Sequence, residues 1–451
     1  MKIFQTLARP FVSFVERYYP DAFIFVIVLS LITFLSALFL TDSTVTSTLL
    51  AWGNGLPMLL KFTAQITIIM VGAHALAHTN PVQKFLTHIG QLPNSANQAY
   101  SLVAFTSGIA SLCAWSFGLV IGAIVARSVA SECAKKSFKI HYPLLVASAY
   151  SGFVIWHMGF SSSAALFVAT PGHLLEDRVG IIPVTETILS STNIVLALMA
   201  LAIITIICPL MRPKDKDIIE FTPNTIDNID NSASDNQSEL TLIEKFENHR
   251  ALNIFLGFAL VSYIVVTYTQ NGFSLNLNIV SWTFLAFGLI LAASPMHFIK
   301  LINNAAATVG PIILQYPFYS GIMGMMATTG LMKVITDWII SISTPETLGF
   351  FAFLSGGLVN MFIPSGGGQW AVQGPIMIEA ALSLNVNPSV VVLGVAYGDQ
   401  WSNMIQPFWT IPILAIAGLH MRQILGYTFV IFIMTGFLYG GGMLYMGSGN
   451  I

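Results

Sequence analysis

Apolar stretches of close to twenty residues recur along the chain from Asp21 to Gly447, parted by short polar segments. That length suits a helix crossing a bilayer core. Spans are expected at Ala22–Leu40 and at residues 56–76, 143–169 and 192–210 in the first half. In the second half they are expected at residues 251–268, 280–293, 303–323, 390–416 and 424–445. Residues 100–129 and 349–378 are too long for one simple span and are interrupted by Gly or Pro. Each predicts a hairpin that enters and leaves the membrane on the same side. The first apolar run is too long for a cleavable signal, and no small-residue cleavage site follows it.

Composition agrees with this pattern. Of 451 residues, 55% are hydrophobic and only 8% charged, against about 25% charged in soluble domains. An ordinary soluble globule and a disordered chain are both excluded. The net charge of −2 offers no basic field for nucleic acid. Cys113, Cys133 and Cys208 have neither a disulfide nor a zinc spacing.

Charge also orients the chain. Between positions 212 and 250 lie five basic and nine acidic residues, around an Asn/Asp/Ser-rich stretch at 223–238 with no apolar periodicity. This reads as a solvated loop dividing the membrane part in two. Lys2, Arg9 and Arg17 place the N-terminus in the cytoplasm. If 100–129 is a hairpin, Arg127, Lys135, Lys136 and Lys139 fall inside as well, with the 212–250 loop, Lys300 and Arg422. Segments 41–57 and 269–276 have no Lys or Arg and read as outer loops. Arg178 and Lys333 are single exceptions. The C-terminus is then outside.

An internal repeat emerges. Ser107-Gly108 and Ser355-Gly356 stand 248 positions apart, each early in a hairpin, and Ala149-Tyr150 and Ala396-Tyr397 stand 247 apart, each in a long interrupted span. The expected organisation is a first repeat at 1–211, a cytoplasmic loop at 212–250, a linking helix and outer loop at 251–275, and a second repeat at 276–451. The linking helix reverses the entry side, so the copies are inverted. The fold class is an all-α polytopic membrane protein, each repeat holding a re-entrant hairpin and a broken helix.

That combination points to a secondary transporter. Irregular backbone survives at membrane depth only inside protein or beside a polar cavity, and broken helices present amide groups that favour an anion. The expected site segments are the hairpin tips at 114–118 and 364–370 and the breaks at 157–163 and 399–407. Ser116, Gly118, Ser161, Ser162, Ser365, Gly366, Gly367, Gly368, Gln369, Trp370, Trp401 and Asn403 are the candidate substrate-binding residues. Pro364 and three glycines permit close backbone approach and positive φ, although a glycine run can also be a packing face.

Asp399 is the only acid in its span, and an intramembrane acid is a functional candidate. It can carry a proton, ligate sodium or cap a broken helix. His157, in the other break, is a second ion-coupling candidate, or a satisfied core histidine. Trp115, Trp156, Trp370, Trp401 and Trp409 can wall an apolar acyl pocket. His74 and His78 have a metal-like spacing, but no acid or Cys accompanies them, so neither a metal nor a cofactor is expected. No GxSxG, HExxH, P-loop or GxGxxG pattern occurs, so an ion gradient, of H⁺ or Na⁺, would drive transport.

At these residues the chain resembles the short-chain fatty acid transporter family over nearly its whole length. The most specific runs are IPSGGGQW from Ile363 to Trp370 and AYGDQWSNMIQPFW from Ala396 to Trp409. Supporting runs are Tyr19-Pro20-Asp21, Ala51-Trp52-Gly53, AWSFGLVIG from Ala114 to Gly122, Ala149 to Gly152, Ala169-Thr170-Pro171-Gly172, Gln315-Tyr316-Pro317-Phe318-Tyr319 and Gln373-Gly374-Pro375. The resemblance implies uptake of butyrate, acetoacetate and similar monocarboxylates across the bacterial inner membrane. Through a wider ion-transporter superfamily it also implies a homodimer with an elevator-like moving domain. The chain departs from the family pattern at His157-Met158-Gly159, at His173 and at Asp399. Sodium sites of dicarboxylate carriers do not carry over, because their Ser-Asn-Thr hairpin tips are absent. A dicarboxylate or other small organic anion is the rival substrate, and the lack of Arg or Lys in the site segments argues for a single carboxylate. An intramembrane enzyme would have only Asp399 and His157 to work with.

Overall fold

The computed structural model describes residues 22–136, 138–221, 241–306, 309–406 and 408–449. Lys2, Arg9, Arg17, the 223–238 stretch and Pro407 lie outside the described residues. Every regular element among the described residues is helical. Among the described residues seven helices are long and apolar enough to cross a membrane, and a bent pair would make an eighth. The chain is a multi-pass membrane protein whose backbone groups pair within helices, as hydrocarbon requires.

The principal helices of the first half are α1 (Ala22–Leu40), α2 (Val45–Gly55), α3 (Leu60–Ala77), α4 (Asn80–Gly90), α5 (Ala96–Cys113), α6 (Trp115–Lys135), α7 (Tyr142–Ser151), α8 (Ser163–Val168) and α9 (Ser191–Leu210). Those of the second half are α10 (Arg250–Asn271), α11 (Leu277–Leu291), α12 (Pro295–Ala306), α13 (Gly310–Thr329), α14 (Leu331–Ile342), α15 (Leu348–Asn360), α16 (Gly366–Ser383), α17 (Pro388–Ser402), α18 (Thr410–Ala417) and α19 (Met421–Gly447).

Two sequence expectations fail here. Segment 41–57 is not simply a loop, because α2 occupies most of it. Thr44 accepts the Ser47 amide and Ser47 returns a bond to Thr44, a capping box that ties down two free amides. α2 is too short to register as a span, and it buries Thr48, Ala51 and Gly55 against α13. Nor is 303–323 one span: α12 and α13 are separate, and Pro311 opens α13, where a missing N–H costs least. α13 then turns by 81° into α14 at Gly330, whose φ of 84° is accessible to glycine.

Packing sorts the helices into two sets. In one, α13 lies against α1 and α2, and α3 against α11 and α12. In the other, α5, α6 and α7 pack together, α15 lies along α17, and α19 joins both groups. α16 bridges the sets, touching α13 and α14 on one side and α17 on the other. Burial shows which set is the core. In the apolar window of α1 only 17% of residues are buried, whereas over Tyr142–Val168 the figure is 94%. The broken helix of the first half is enclosed by protein.

Candidate functional site

Four interruptions of regular helix meet inside the second set. In the first, α5 and α6 are joined by Ala114 alone, extended at φ −160°, ψ 141°. In the second, α7 tightens into a 3-10 turn over Gly152–Met158 before α8 begins. In the third, α15 and α16 are separated by residues 361–365. In the fourth, α17 ends at Ser402, and successive turns carry the chain through Asn403 to Gln406. The expected breaks are therefore displaced. His157 lies in the 3-10 turn, and the open backbone is at 159–162. Asp399 stands in the last turn of α17, because the helical bond from Asn403 N–H to the Asp399 carbonyl (3.3 Å) still forms.

These two residues face each other. His157 Nε2 and Asp399 Oδ1 are 3.8 Å apart, and both side chains are at most 2% exposed. That separation is too long for a hydrogen bond. The second ring nitrogen, Nδ1, is 3.1 Å from the Ser162 hydroxyl, and the His157 backbone N–H donates to Gln400 Oε1 at 2.8 Å. Asn403 Nδ2 approaches Asp399 Oδ1 at 3.4 Å. Asn360 Nδ2 bridges the Asp399 carbonyl, Ser402 Oγ and Asn403 Oδ1 at 3.0, 2.8 and 2.7 Å. The Tyr150 hydroxyl donates to the Asn403 carbonyl at 2.7 Å. Helices α7, α15 and α17 thus share one polar network.

Within this junction, His157 Nε2, Asp399 Oδ2, Gln400 Nε2, Asn360 Oδ1 and Trp156 Nε1 are buried without a hydrogen-bond partner. Buried polar groups are normally paired, so such a cluster marks a place where polar groups serve something other than the fold.

The tip of the second hairpin completes the junction. Ser365 caps α16 by accepting the Gly368 amide, and its hydroxyl donates to Tyr316 Oη of α13 at 2.9 Å. Gly366, Gly367 and Gly368 are buried, and none of them has positive φ. That part of the sequence expectation is corrected: the run serves close approach alone. A Cβ on Gly366 would lie 2.5 Å from His157 Nε2 and 2.7 Å from Trp156 Cη2. On Gly367 it would lie 2.5 Å from Tyr316 Oη, and on Gly368 2.6 Å from the Tyr319 ring. The glycines wedge α16 between the 3-10 turn and α13.

The remaining candidates divide. Ser162 belongs to the network. Ser161 accepts the Trp115 amide at 2.9 Å, tying the first tip to the first break. Ser116 Oγ is buried and unpaired. Gly118 is pressed against Ser111, inside the α5–α6 contact. Gln369 donates to the Gly356 carbonyl and to Gln373, holding the second hairpin together, and Trp370 packs over Gly374. Trp401 turns away to α19, where it stacks on Phe432 at 4.2 Å and donates to its carbonyl.

The five tryptophans therefore do not form one wall. Trp115, Trp409, Phe153 and Trp156 make a continuous cluster, and Trp156 lies 3.6 Å from the His157 ring. His74 and His78 stack on each other at 4.4 Å. Among the described residues no three His, Cys, Asp or Glu side chains gather as metal ligands.

Asn360, Gln400, Tyr150 and Tyr316 are not among the site residues assigned from the sequence, although Gln400 lies in an expected break. Asn360, an amide in an otherwise apolar run, and Tyr316, within the family-like Gln315–Tyr319 run, carried a usable signal.

Comparison with known proteins agrees with this architecture. A family model described as "Short chain fatty acid transporter" matches residues 3–446. A curated Escherichia coli (strain K12) protein, whose name proposes short-chain fatty acid transport, is 37% identical over 433 residues, covering 96% of this chain and 98% of its own. A Haemophilus influenzae protein of the same name is 36% identical over 447 residues, covering 98% and 99%. The crystal structure of the Alcanivorax borkumensis YdaH transporter, described as having an unusual topology, superposes with a TM-score of 0.59. It covers 94% of this chain and 98% of that one at 13% identity, a likeness of fold alone. On the family match and the two curated relatives, this chain belongs to the short-chain fatty acid transporter family, and its activity is transport rather than catalysis.

Proposed function

We propose that the protein is a secondary active transporter of short-chain monocarboxylates, such as butyrate and acetoacetate, across the bacterial inner membrane. The observation that carries this reading is the buried junction of two hairpin tips and two broken helices, with unpartnered His157, Asp399, Gln400 and Asn360 atoms beside the α16 N-terminus. An anion is favoured by helix N-termini. The aromatic cluster of Trp115, Trp156, Phe153 and Trp409 suits a short acyl chain. The four site segments contain no Lys or Arg, so a dicarboxylate would lack a partner there for its second charge.

Asp399 and His157 are the coupling pair in this reading. The Asp399 carboxylate faces nitrogen atoms, Asn403 Nδ2 and His157 Nε2, whereas a hard cation takes oxygen ligands. A proton fits that environment better than sodium.

The inverted repeat, the elevator-like movement, the homodimer and the cytoplasmic N-terminus belong to the same proposal. Matching contacts support the repeat: Ser107 donates to the Ala149 carbonyl between α5 and α7, and Gly356 lies close against Val395 between α15 and α17. Cysteine tags near Asp227 should label only from the cytoplasm and tags near Gly447 only from outside. Labelling of both from one side rejects the inversion.

Uptake of radiolabelled butyrate into proteoliposomes tests the function. Accumulation is expected with an imposed proton gradient and not with a sodium gradient alone. No uptake under either gradient would reject the reading.

A further inference from the structure

We infer that the hydroxyl of Tyr316 occupies the carboxylate subsite at the N-terminus of α16, standing in for a substrate oxygen until the hairpin tip parts from α13. The inference rests on the transport reading above and adds to it the residue that competes with the substrate.

The geometry around that oxygen is the reason. Tyr316 is 2% exposed, and its ring stacks with Phe62 of α3 at 6.0 Å. Its Oη accepts the Ser365 hydroxyl at 2.9 Å. A Cβ on Gly367 would lie 2.5 Å from the same atom, so the bare α16 backbone stands directly against it. The first amides of a helix have no acceptor within it and carry the positive end of its dipole. A phenolic oxygen thus takes the capping hydroxyl of Ser365 and sits against the bare start of α16, where a carboxylate oxygen would be held.

A second observation points independently to a ligand. His157 Nε2 is buried and unpartnered, and it lies 2.5 Å from where a Cβ of Gly366 would stand. The adjacent residues Gly366 and Gly367 therefore set the α16 tip between an unsatisfied imidazole nitrogen and the Tyr316 oxygen. A carboxylate taking the place of the Tyr316 oxygen would accept the Ser365 hydroxyl, at a helix tip whose opposite face is bounded by the imidazole.

Tyr316 reaches the tip from the other packing set. Separation of the sets therefore withdraws the phenolic oxygen and presents the α16 amides to an incoming anion. Ser365 is the shared ligand, and Tyr316 is its internal occupant.

Equilibrium binding of radiolabelled butyrate to the purified full-length protein tests this. Tyr316→Phe keeps the ring on Phe62 and removes only the competing oxygen. It should bind butyrate about tenfold more tightly, the worth of roughly one net hydrogen bond. Competition by butyramide, which lacks the charge, should be unchanged. Tyr316→Met serves the same comparison if the Phe variant does not assemble. Weaker butyrate binding would make Tyr316 a direct substrate ligand and overturn the proposal, as would unchanged affinity. A gain shared equally by butyramide would show general loosening and overturn it too. If wild type binds no butyrate while transporting another anion, the substrate assignment fails, and with it this inference.

Discussion

The two hairpin tips solve the same problem in different ways. The first turns on a single extended residue, Ala114, and is stitched by backbone: the Phe160 amide donates to the Leu112 carbonyl at 2.8 Å, and Ser161 accepts the Trp115 amide. Its hydrogen-bonding partners lie in adjacent segments of the same half, although Trp115 also packs on Trp409 of the second. The second needs residues 361–365 to turn and has three glycines after them. It rests on side chains from elsewhere: His157 and Trp156 on one side, Phe62, Tyr316 and Tyr319 on the other. Backbone stitching holds a fixed shape, whereas bulky side chains against bare backbone form a contact that can part. In the proposed transport cycle the second tip is therefore the one that would part from its surroundings.

The largest expected effect follows from filling that bare backbone. Gly367→Val puts a branched side chain where the Tyr316 hydroxyl and Phe62 ring already stand, and overpacking of this kind costs about 1–3 kcal/mol or more. Butyrate uptake should fall to background while the purified protein still melts cooperatively. Normal uptake and affinity in both Gly366→Val and Gly367→Val would mean the run is ordinary packing and would erase the contrast between the tips.

Asp399→Asn comes next. It keeps the shape of the α17 terminus but cannot exchange a proton. Butyrate counterflow should persist while accumulation driven by a pH gradient is lost. Accumulation at the wild-type rate would leave Asp399 with a structural role.

Smaller effects separate side-chain networks from backbone stitching. Asn360→Ala removes three bonds beneath Asp399 and strands buried partners, so a loss of roughly 2–4 kcal/mol is expected. Ser161→Ala strands only the Trp115 amide, for roughly 1–2 kcal/mol. Thermal melting of the two variants in one detergent checks the order. Equal losses would mean that the breaks are held alike.

Much of this molecule was legible before any coordinates. Hydropathy located most spans, since lipid leaves few alternatives to a helix of the right length. The helix-breaking residues within 157–163 and 364–370 marked interruptions, because glycine, serine and proline weaken a helix locally. What escaped was amphipathic or short: α2 and α4 carry too little apolar length to register, and the α12–α13 boundary is hidden by continuous hydrophobicity across it.

The sequence by itself determined that the chain lies in a membrane, which of its long spans are interrupted and which residues could bear charge there. These properties depend on solvent and on local backbone preference, which act on neighbours along the chain. Only the tertiary structure decided which candidates share a site. It set His157 3.8 Å from Asp399 across 241 intervening positions, turned Trp401 out to α19, and brought Tyr316 from the other packing set onto the α16 N-terminus. Helical direction alone leaves a side chain several neighbours to face. Packing against helices distant in sequence selects one of them.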